Sequence, residues 1–336
     1  MEESHSGSAV SGLVAPTLAE NARSESADSA HEARKKTAPV NILRVKTNDH
    51  VRIFDETIEI LKRSFCELGH AVICSDNYYK AGFINILCGS TLIATRHHAL
   101  STKLAGKQFI VYQLEQLHDD LGHLKEWPEY MSLLRNACAI LEYSPSNMKY
   151  LESRRFENVS FLPPAYHPAL STFTAAKDKD IDVLMIGAVT PRRLGLFRDL
   201  AQKNPRVFFI NKGYGDERNA AIARSKIVLN VHAIEGLDIL ETIRLQLLLS
   251  NSCFVISELA DYNPYGDGVV YGKYGELVNL CMGYLAGPAA ERDRIAAAGF
   301  KELSRTRFTD NLKTVLRERA AFVNAIGRGT DMATNA

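Results

Sequence analysis

Residues with versatile side chains are concentrated in one short stretch of the chain. His232, Glu235 and Glu241 follow a β-branched run at Ile227–Val231, and Arg244 comes shortly after them. An imidazole, two carboxylates and a guanidinium can bind anions, hold hydroxyl groups or exchange protons. Because ligands of open α/β sheets bind beyond the carboxyl ends of the strands, we expect these side chains to line a ligand site.

Glu241 and Arg244 also have a purely structural interpretation. Apolar residues recur at helical spacing from Ile239 to Leu249, which predicts a helix there. A carboxylate at the start of that helix would be stabilised by the helix dipole. The guanidinium would lie on the same face and could pair with it. Several charged groups meet at one predicted strand end, and this favours a binding role.

A second candidate anion site follows the predicted strand that ends at Gly187. This glycine would let a ligand approach the backbone closely. Thr190 and Pro191 mark the start of a helix, whose free N–H groups attract anions. Arg192 and Arg193 could each form two parallel hydrogen bonds with a phosphate. A solvated helix start without a ligand is the alternative interpretation.

The first half of the chain contains candidates for acid–base chemistry. Glu115 comes just past the predicted buried strand Gln108–Gln113, so its carboxylate could bind hydroxyl groups or act as a general base. The run Thr95–His98 ends in paired histidines, and His98 is a second candidate, although an ordinary surface loop is the favoured interpretation of this run. No pair of cysteines has zinc-finger spacing, and we expect no metal site.

Composition limits the class of protein. The chain has 336 residues, 46% hydrophobic and 24% charged, with a formal net charge of +1. These values are typical of a globular protein and do not indicate a nucleic-acid partner. No apolar run reaches the roughly 20 residues of a membrane span. Scattered cysteines in apolar contexts favour free thiols in a reducing compartment, so we expect a cytoplasmic protein.

The fold class follows from alternating strand and helix patterns. Two such series predict an α/β protein with two Rossmann-like domains facing each other across a cleft. Small and polar residues at the amino end predict disorder. The predicted segments are a disordered tail at 1–38, a first domain at 39–165, a linker at 166–180, a second domain at 181–310, a bracing helix at 308–326 and a tail at 327–336.

The second half resembles a known family. Ser225–Asn230 is similar to the strand before a donor loop, and Glu235 with Gly236 resembles the opening of a glutamate-rich motif. Glu241 is similar to the glutamate that opens the next helix, and Ser257–Glu258 to the end of the next strand. Together they resemble the donor half of GT-B glycosyltransferases with a C-terminal domain of the "glycosyl transferases group 1" type. Glu235 and Glu241 are closer together than in the commoner pattern.

The resemblance implies a donor and a set of roles for this sequence. The donor would be a nucleotide diphosphate sugar, with no separate cofactor, and the acceptor is unknown. Glu241 would hold the ribose, while the loop after Gly187, with its arginines, would face the diphosphate. Lys212 could contact phosphate and Tyr214 could stack on the base, although a plain turn explains both residues equally well. In the family's metal-free enzymes, basic side chains and helix N-termini neutralise the leaving group.

Two other functions are compatible with the same sequence. One is a noncatalytic binding or assembly protein with a GT-B-like fold, which the shortened glutamate spacing favours. The other is a different sugar-nucleotide enzyme, such as an epimerase. Product release distinguishes them, because an epimerase converts the donor without an acceptor and a binding protein converts nothing.

Overall fold

The computed structural model describes most of the chain. The residues it describes are 37–46, 49–89, 98–118, 127–211, 213–237 and 239–319. The predicted tails at 1–38 and 327–336 therefore lie almost wholly or wholly outside the described residues, as do Lys212 and the last residues of the predicted bracing helix. Within these ranges no helix is both long and apolar enough to cross a bilayer.

The first sheet is entirely parallel, and its strands lie in the order β2-β1-β3-β4-β5-β6. The strands are β1 (Val40–Arg44), β2 (Val72–Asp76), β3 (Ile84–Cys88), β4 (Ile110–Gln113), β5 (Ala139–Glu142) and β6 (Val159–Phe161). Three of them, β3, β4 and β5, are buried along their whole length. Continuous burial of apolar runs is typical of a parallel strand covered on both faces.

Helices connect these strands. A 3-10 helix spans Asp49–Phe54, and the α-helices are α1 (Asp55–Glu67), α2 (His98–Leu104), α3 (Trp127–Asn136) and α4 (Pro145–Ser153). Ser144 caps α4 by accepting a hydrogen bond from the Asn147 backbone N–H, and proline occupies its first turn. A serine followed by proline is a local sequence signal for a helix start, because proline lacks the N–H group that a first turn leaves unpaired.

The second sheet is also parallel, in the order β11-β10-β9-β7-β8. Its strands are β7 (Ile181–Ile186), β8 (Val207–Ile210), β9 (Ser225–Asn230), β10 (Val255–Glu258) and β11 (Val270–Gly272). Its helices are α5 (Pro191–Lys203), α6 (Gly215–Ala223), α7 (Thr242–Ser250), α8 (Leu277–Ala286), α9 (Ala289–Leu303) and α10 (Phe308–Glu318). Short 3-10 helices span Pro168–Leu170, Gly266–Gly268 and Tyr274–Glu276.

The start of α7 differs from the predicted helix Ile239–Leu249. The helix begins at Thr242, and Glu241 precedes it without forming a side-chain cap. Ile239 and Leu240 are buried residues of the preceding loop, 6% and 3% exposed. These two residues are apolar because they anchor the loop in the core. Their spacing happens to continue that of the helix, so periodicity does not distinguish an anchored loop from a helical turn.

The two sheets share one continuous core, and the last described helix contributes to it. Phe308 at the start of α10 is fully buried in that core. The helix packs against α1 of the first half, where Thr309 Oγ1 lies 2.9 Å from Ser64 Oγ. On α7, Gln246 Nε2 donates to the Ala165 carbonyl at 2.6 Å. These contacts hold the carboxyl ends of the two sheets on either side of a cleft.

Candidate functional site

A cavity of about 480 Å³ occupies the cleft between the two sheets. Its wall in the first half includes Glu56, Glu115 and Tyr143, and the loop of Gly187 forms part of the opposite wall. The other polar residues that line it from the second half are Thr190, Arg193, Asn211, Tyr214, Arg218, Glu241, Arg244 and Gln246. Residues predicted independently from the two halves of the sequence therefore line a single cavity.

Arg193 is held in place by backbone carbonyl groups. Thr190 caps α5, which places Arg193 in its first turn, where only 4% of the residue is exposed. Its guanidinium donates to the Val231 carbonyl at 2.9 and 2.6 Å and to the Ala188 carbonyl at 3.1 Å. Burial, assisted by the charge of Arg244, lowers the pKa of Arg193 to about 10. The side chain is therefore a rigid, desolvated cation at neutral pH.

Arg244 provides a second guanidinium at the same place. Its Nη1 donates to Asn230 Oδ1 at 2.6 Å. A Cβ atom on Gly187 would lie 2.9 Å from Arg193 Nη1 and 3.0 Å from Arg244 Nη2. The φ of Gly187 is +135°, so this glycine both adopts an unfavourable conformation for other residues and leaves room for the two cations. Among the described residues, Arg244 forms no ion pair within 4.0 Å.

Glu241 is the carboxylate closest to these cations. It accepts hydrogen bonds from Asn230 Nδ2 at 3.0 Å and Arg193 Nη2 at 3.2 Å, and it lies 3.4 Å from His232 Nδ1. Burial alone would raise its pKa, but the interactions with His232, Arg244 and Arg193 outweigh burial and hold the pKa at about 2. Glu241 is therefore ionised throughout the physiological range.

The charges of this group do not cancel. Arg193 and Arg244 carry two positive charges, and Glu241 supplies one negative charge, so the group is positive even with His232 neutral. Fixed donors and net positive charge in a partly desolvated cavity attract an anion. A phosphate is the anion whose geometry best matches two guanidinium groups.

Glu115 lies on the opposite wall with a free carboxylate. Its backbone is fixed, because Asn147 Nδ2 donates to its carbonyl at 2.8 Å and its N–H donates to Gln113 Oε1 at 3.1 Å. Its carboxylate oxygens have no hydrogen bond or ion pair with the described residues. Burial raises the pKa of this carboxyl group to about 7. Such a group can take up or release a proton near neutral pH.

No protein-family model matches the chain. Over 181 residues it is 26% identical to an uncharacterised protein, R358, of Acanthamoeba polyphaga mimivirus, covering 52% of the chain and 61% of that protein. Among solved structures, the N-terminal domain of Candida albicans trehalose-6-phosphate phosphatase aligns with a TM-score of 0.52 at 8% identity, covering 85% of this chain and 97% of that one. TarM aligns with a TM-score of 0.51 at 10% identity, covering 72% and 55%. The fold is of the GT-B type.

The GT-B fold confirms the predicted class of two Rossmann-like domains. At such low identities the similarity concerns the fold alone. The matches span 61% of the length of R358 and 20% of the length of a second uncharacterised mimivirus protein, L138, so the activity and substrates of the whole protein belong to the proposals below.

Several predicted donor residues lie outside the cavity. Arg192 pairs with Glu258 through both guanidinium nitrogens, and its guanidinium carbon lies 3.9 Å from the ring centroid of Tyr274. Glu235 and Gly236 are exposed in the loop after β9. The structure therefore places Arg192 in an ion pair of the second domain and not among the residues that line the cavity.

Three further predictions have different outcomes. His232 is 2% exposed and lies behind Glu241, not on the cavity wall. His98 begins α2, but its side chain is not among those described. Lys212 lies outside the described residues, so its predicted contact with phosphate stays a prediction.

Contacts across the cleft connect the two halves near the site. Arg218 of α6 forms an ion pair with Glu56 of α1. Gln116 Nε2 donates to the Ile239 carbonyl at 3.0 Å, which ties the loop after β4 to the loop before α7. The guanidinium of Arg52 lies 5.5 Å from the ring centroid of Tyr214. The cavity is therefore enclosed by polar contacts as well as by apolar packing.

Asn230 is a site residue that sequence reasoning did not single out. Its side chain bridges the two key groups, since it donates to Glu241 and accepts from Arg244. It is fully buried at the last position of β9, where every preceding residue from Ile227 is apolar. A polar residue that ends an apolar parallel strand is the signal that could have identified it.

Two aspartates of the second half are paired with basic residues. Asp180 and Asp182 form an Asp-x-Asp pair, but they lie at the amino end of β7, away from the cavity. Asp180 pairs with Arg224, and Asp182 lies 2.8 Å from Lys226 Nζ. Within the described ranges, no group of three or more His, Cys, Asp or Glu side chains could hold a metal ion.

Proposed function

We propose that this protein is a glycosyltransferase that moves a sugar from a nucleotide diphosphate sugar to an acceptor. The observation that supports it most directly is the convergence of Arg193 and Arg244 beside Gly187, with Glu241 as their neighbouring carboxylate. The departing nucleoside diphosphate gains negative charge as its bond to the sugar breaks. Cations that are already fixed at that place stabilise this charge without reorganising.

In this proposal the diphosphate lies against Arg244 and the amino end of α5. Arg244 is the better of the two arginines for direct contact, because it donates only one hydrogen bond to the described residues, to Asn230 Oδ1. Arg193 is already bound to three acceptors and contributes mainly its charge. The backbone N–H of Arg192 in the first turn of α5 adds one hydrogen-bond donor, since Pro191 has no N–H and the Arg193 N–H is bound to Thr190 Oγ1 at 3.3 Å.

Glu241 and Tyr214 are assigned to the nucleoside. A carboxylate offers roughly four lone-pair positions, and the contacts with Asn230, Arg193 and His232 use about three of them. Glu241 therefore has room for about one ribose hydroxyl, not for a full grip on two. Tyr214 lines the cavity beyond β8 and is proposed to stack against the base.

Glu115 is proposed as the general base for the acceptor. The acceptor oxygen forms the new bond to the anomeric carbon, the bond from that carbon to the diphosphate oxygen breaks, and the hydroxyl proton passes to Glu115. A pKa of about 7 suits this task, because the group is partly ionised at neutral pH and still accepts a proton readily.

We propose further that the reaction needs neither a cofactor nor a metal ion. The charge of two arginines takes the place that a divalent cation has in other phosphate sites. The expectation is that chelation with EDTA leaves donor binding and turnover unchanged. A loss of turnover that is restored by Mg²⁺ or Mn²⁺ would contradict this part of the proposal.

The first experiment is a thermal-shift screen of the purified protein without added metal. The probes are UDP, GDP, ADP, CDP and dTDP together with their common sugar conjugates. A ligand that binds only the folded protein raises the melting temperature by mass action. We expect one nucleotide to raise it in the native protein and to have a much smaller effect in Arg244→Gln. Arg305→Gln, which removes an exposed arginine paired with Glu302, is the matched control.

The second experiment measures release of nucleoside diphosphate with a panel of acceptors. Release that depends on an acceptor supports glycosyl transfer. Binding without release, for every acceptor tried, favours the noncatalytic GT-B-like protein. Conversion of the donor in the absence of any acceptor indicates an epimerase or a related enzyme.

A further inference from the structure

The side chain of His232 is surrounded by acceptor groups in the interior of the second domain. Its Nε2 lies 3.1 Å from the Leu259 carbonyl oxygen, and its Nδ1 lies 3.4 Å from Glu241 Oε2. Both partners are acceptors, because a carbonyl and an ionised carboxylate have no proton to donate. The ring is 2% exposed, so water does not replace either partner.

A neutral imidazole satisfies only one of these two contacts. It carries a proton on one nitrogen, and the lone pair of the other nitrogen would face an oxygen lone pair. An imidazolium carries protons on both nitrogens, so it donates to the Leu259 carbonyl and faces the Glu241 carboxylate as an ion pair at 3.4 Å, although Nδ1 forms no hydrogen bond of good geometry there. The geometry of the two acceptors therefore favours the charged ring.

We propose that His232 is a positioning residue that holds Glu241 as an imidazolium and makes anion binding in the cavity depend on pH. This inference depends on the proposed function in one respect, namely that the bound anion is the diphosphate of a nucleotide sugar. His232 does not line the cavity, so it acts through Glu241, whose carboxylate it orients from behind. Its charge also adds to those of Arg193 and Arg244.

The charged and titratable groups around His232 agree with this role. Glu258 Oε2 accepts a hydrogen bond from its backbone N–H at 3.0 Å. Arg192 contacts its carbonyl at 3.4 Å and is itself paired with Glu258. The neighbouring groups that bear on the ring are Glu241, Glu258, Arg192, Arg193, Arg244 and Tyr274. Burial alone would lower the pKa of His232, but Glu241 together with Glu258 raises it above its usual value.

The consequence for the site is a loss of positive charge as pH rises. Below the pKa of His232 the group formed with Arg193, Arg244 and Glu241 has an excess of two positive charges, and above it an excess of one. Anion affinity is therefore expected to fall as pH rises through the pKa of His232.

The direct test is the titration of His232 by NMR in the ligand-free, full-length protein with ¹⁵N-labelled histidine. The signals that disappear in His232→Asn identify the ring among the ten histidines. We expect a midpoint above about 6.5, the ordinary value for histidine. In Glu241→Gln the midpoint should fall below that value, because burial remains and the counter-charge is lost.

A midpoint at or below about 6.5 in the native protein overturns the proposal, and so does a midpoint that Glu241→Gln does not move. The native midpoint decides the question alone if Glu241→Gln does not fold. Neither measurement involves a ligand, so this test stands apart from that of the proposed glycosyltransferase activity.

The functional test compares donor affinity at about pH 6 and pH 8.5, on either side of the expected midpoint. The probes are UDP-glucose, GDP-mannose and ADP-glucose, whose diphosphates have no second ionisation near neutrality. The native protein should lose about threefold to tenfold in affinity at the higher pH. His232→Asn retains a neutral amide donor toward Glu241 and should lose clearly less affinity, because only the ionisation of Glu115 in the same cavity then acts across this pH range.

His70→Asn is the matched control. His70 Nδ1 contacts the Ala38 carbonyl at 2.8 Å in the first half of the chain, so this variant also removes a histidine with a carbonyl partner. Its pH dependence should equal that of the native protein. A native-like pH dependence in His232→Asn would overturn the proposal. If none of the probes binds, the proposed function loses support, and the NMR titration still decides the role of His232.

Discussion

Nη2 of Arg193 and Oε1 of Glu241 lie 3.2 Å apart, and this ion pair joins the first turn of α5 to the loop that precedes α7. Both side chains are largely buried, with 5% and 14% of their surfaces exposed. The pair orients one wall of the cavity and leaves the positive charge of Arg244 uncompensated. Most of the predictions below follow from this arrangement.

Loss of Glu241 should destabilise the protein as well as its binding site. Glu241→Ala would leave Arg193 and His232 buried without their counter-charge, and removal of one partner of a buried ion pair costs about 3–5 kcal/mol. The free energy of unfolding, from urea titration at neutral pH, measures this cost. Glu235→Ala is the control, because Glu235 is exposed in the same loop and its loss should be nearly neutral. Equal stability of the two variants would contradict the prediction.

The contribution of Glu241 should disappear at low pH. Its pKa of about 2 in the folded protein lies below the ordinary value of 4.5. A group whose folded pKa is depressed stabilises the protein above its unfolded pKa, and the stabilisation is lost as pH falls through the folded pKa. The difference corresponds to about 3 kcal/mol. Urea titrations between about pH 5 and pH 2 should therefore show a steeper loss of stability in the native protein than in Glu241→Gln.

Arg244→Gln should weaken donor binding with little effect on the fold. The change removes the cation that no described carboxylate neutralises, and a hydrogen bond to a charged group contributes about 1.5–3 kcal/mol. This corresponds to about a tenfold to hundredfold rise in Kd for the nucleotide sugar, measured by calorimetry. Donor affinity equal to that of Arg305→Gln would remove Arg244 from the proposed diphosphate site.

Gly187→Ala should perturb the site more than an equivalent change at another glycine. Gly187 and Gly236 both have a positive φ, so alanine is strained at either position. A Cβ at Gly187 would come within 3.0 Å of the guanidinium atoms of Arg193 and Arg244, whereas at Gly236 it would meet nothing within 4 Å. Because backbone strain is common to both variants, the difference in donor affinity between them measures the effect of displacing the two guanidinium groups. No difference between them would show that these cations are not held at the donor.

Glu115→Gln should reduce turnover by about a hundredfold to ten-thousandfold while donor affinity is unchanged. Turnover of the native protein should rise with pH through about 7, because the ionised carboxylate is the active form. This limb of the pH profile should be absent in the variant. If turnover of Glu115→Gln still rose with pH through this range, the ionisation would belong to a group other than Glu115.

Glu115 should also lower the stability of the native protein above its unfolded pKa. Its folded pKa is raised from 4.5 to about 7, so the folded state binds more protons between these values and stability falls as pH rises across them. Glu115→Gln should flatten this fall and be more stable at pH 8 by about 1–3 kcal/mol. Parallel pH profiles for the two proteins would show that burial of Glu115 has no such cost.

Much of the architecture could be predicted from local patterns. Largely apolar runs such as Ile84–Cys88, in which Asn85 is the one polar residue, are long enough to predict buried parallel strands, and helix starts such as Ser144 with Pro145 have a strong local signal. The apolar periodicity predicts a start of α7 that is too early, because Ile239 and Leu240 match the helical period although they belong to a loop. Such an ambiguity is expected wherever a loop is anchored by apolar residues.

The sequence by itself determined which residues follow the strands, and therefore which side chains could reach the cleft. Glu115, Gly187, Arg193, Glu241 and Arg244 were all identified in this way, because the carboxyl ends of parallel strands share one edge. Which of these side chains pair with one another at the carboxyl end of the sheet was decided only by the tertiary structure.

Arg192 and Arg193 are adjacent in the sequence and chemically identical, yet one pairs with Glu258 and the other faces the cavity. Successive residues of a helix point in directions about 100° apart, so neighbours are necessarily separated. Which of them meets the ligand depends on the rotation of α5 against the sheet, and that rotation is set by packing among residues distant in the sequence. The bridging role of Asn230 and the burial of His232 behind Glu241 were decided in the same way.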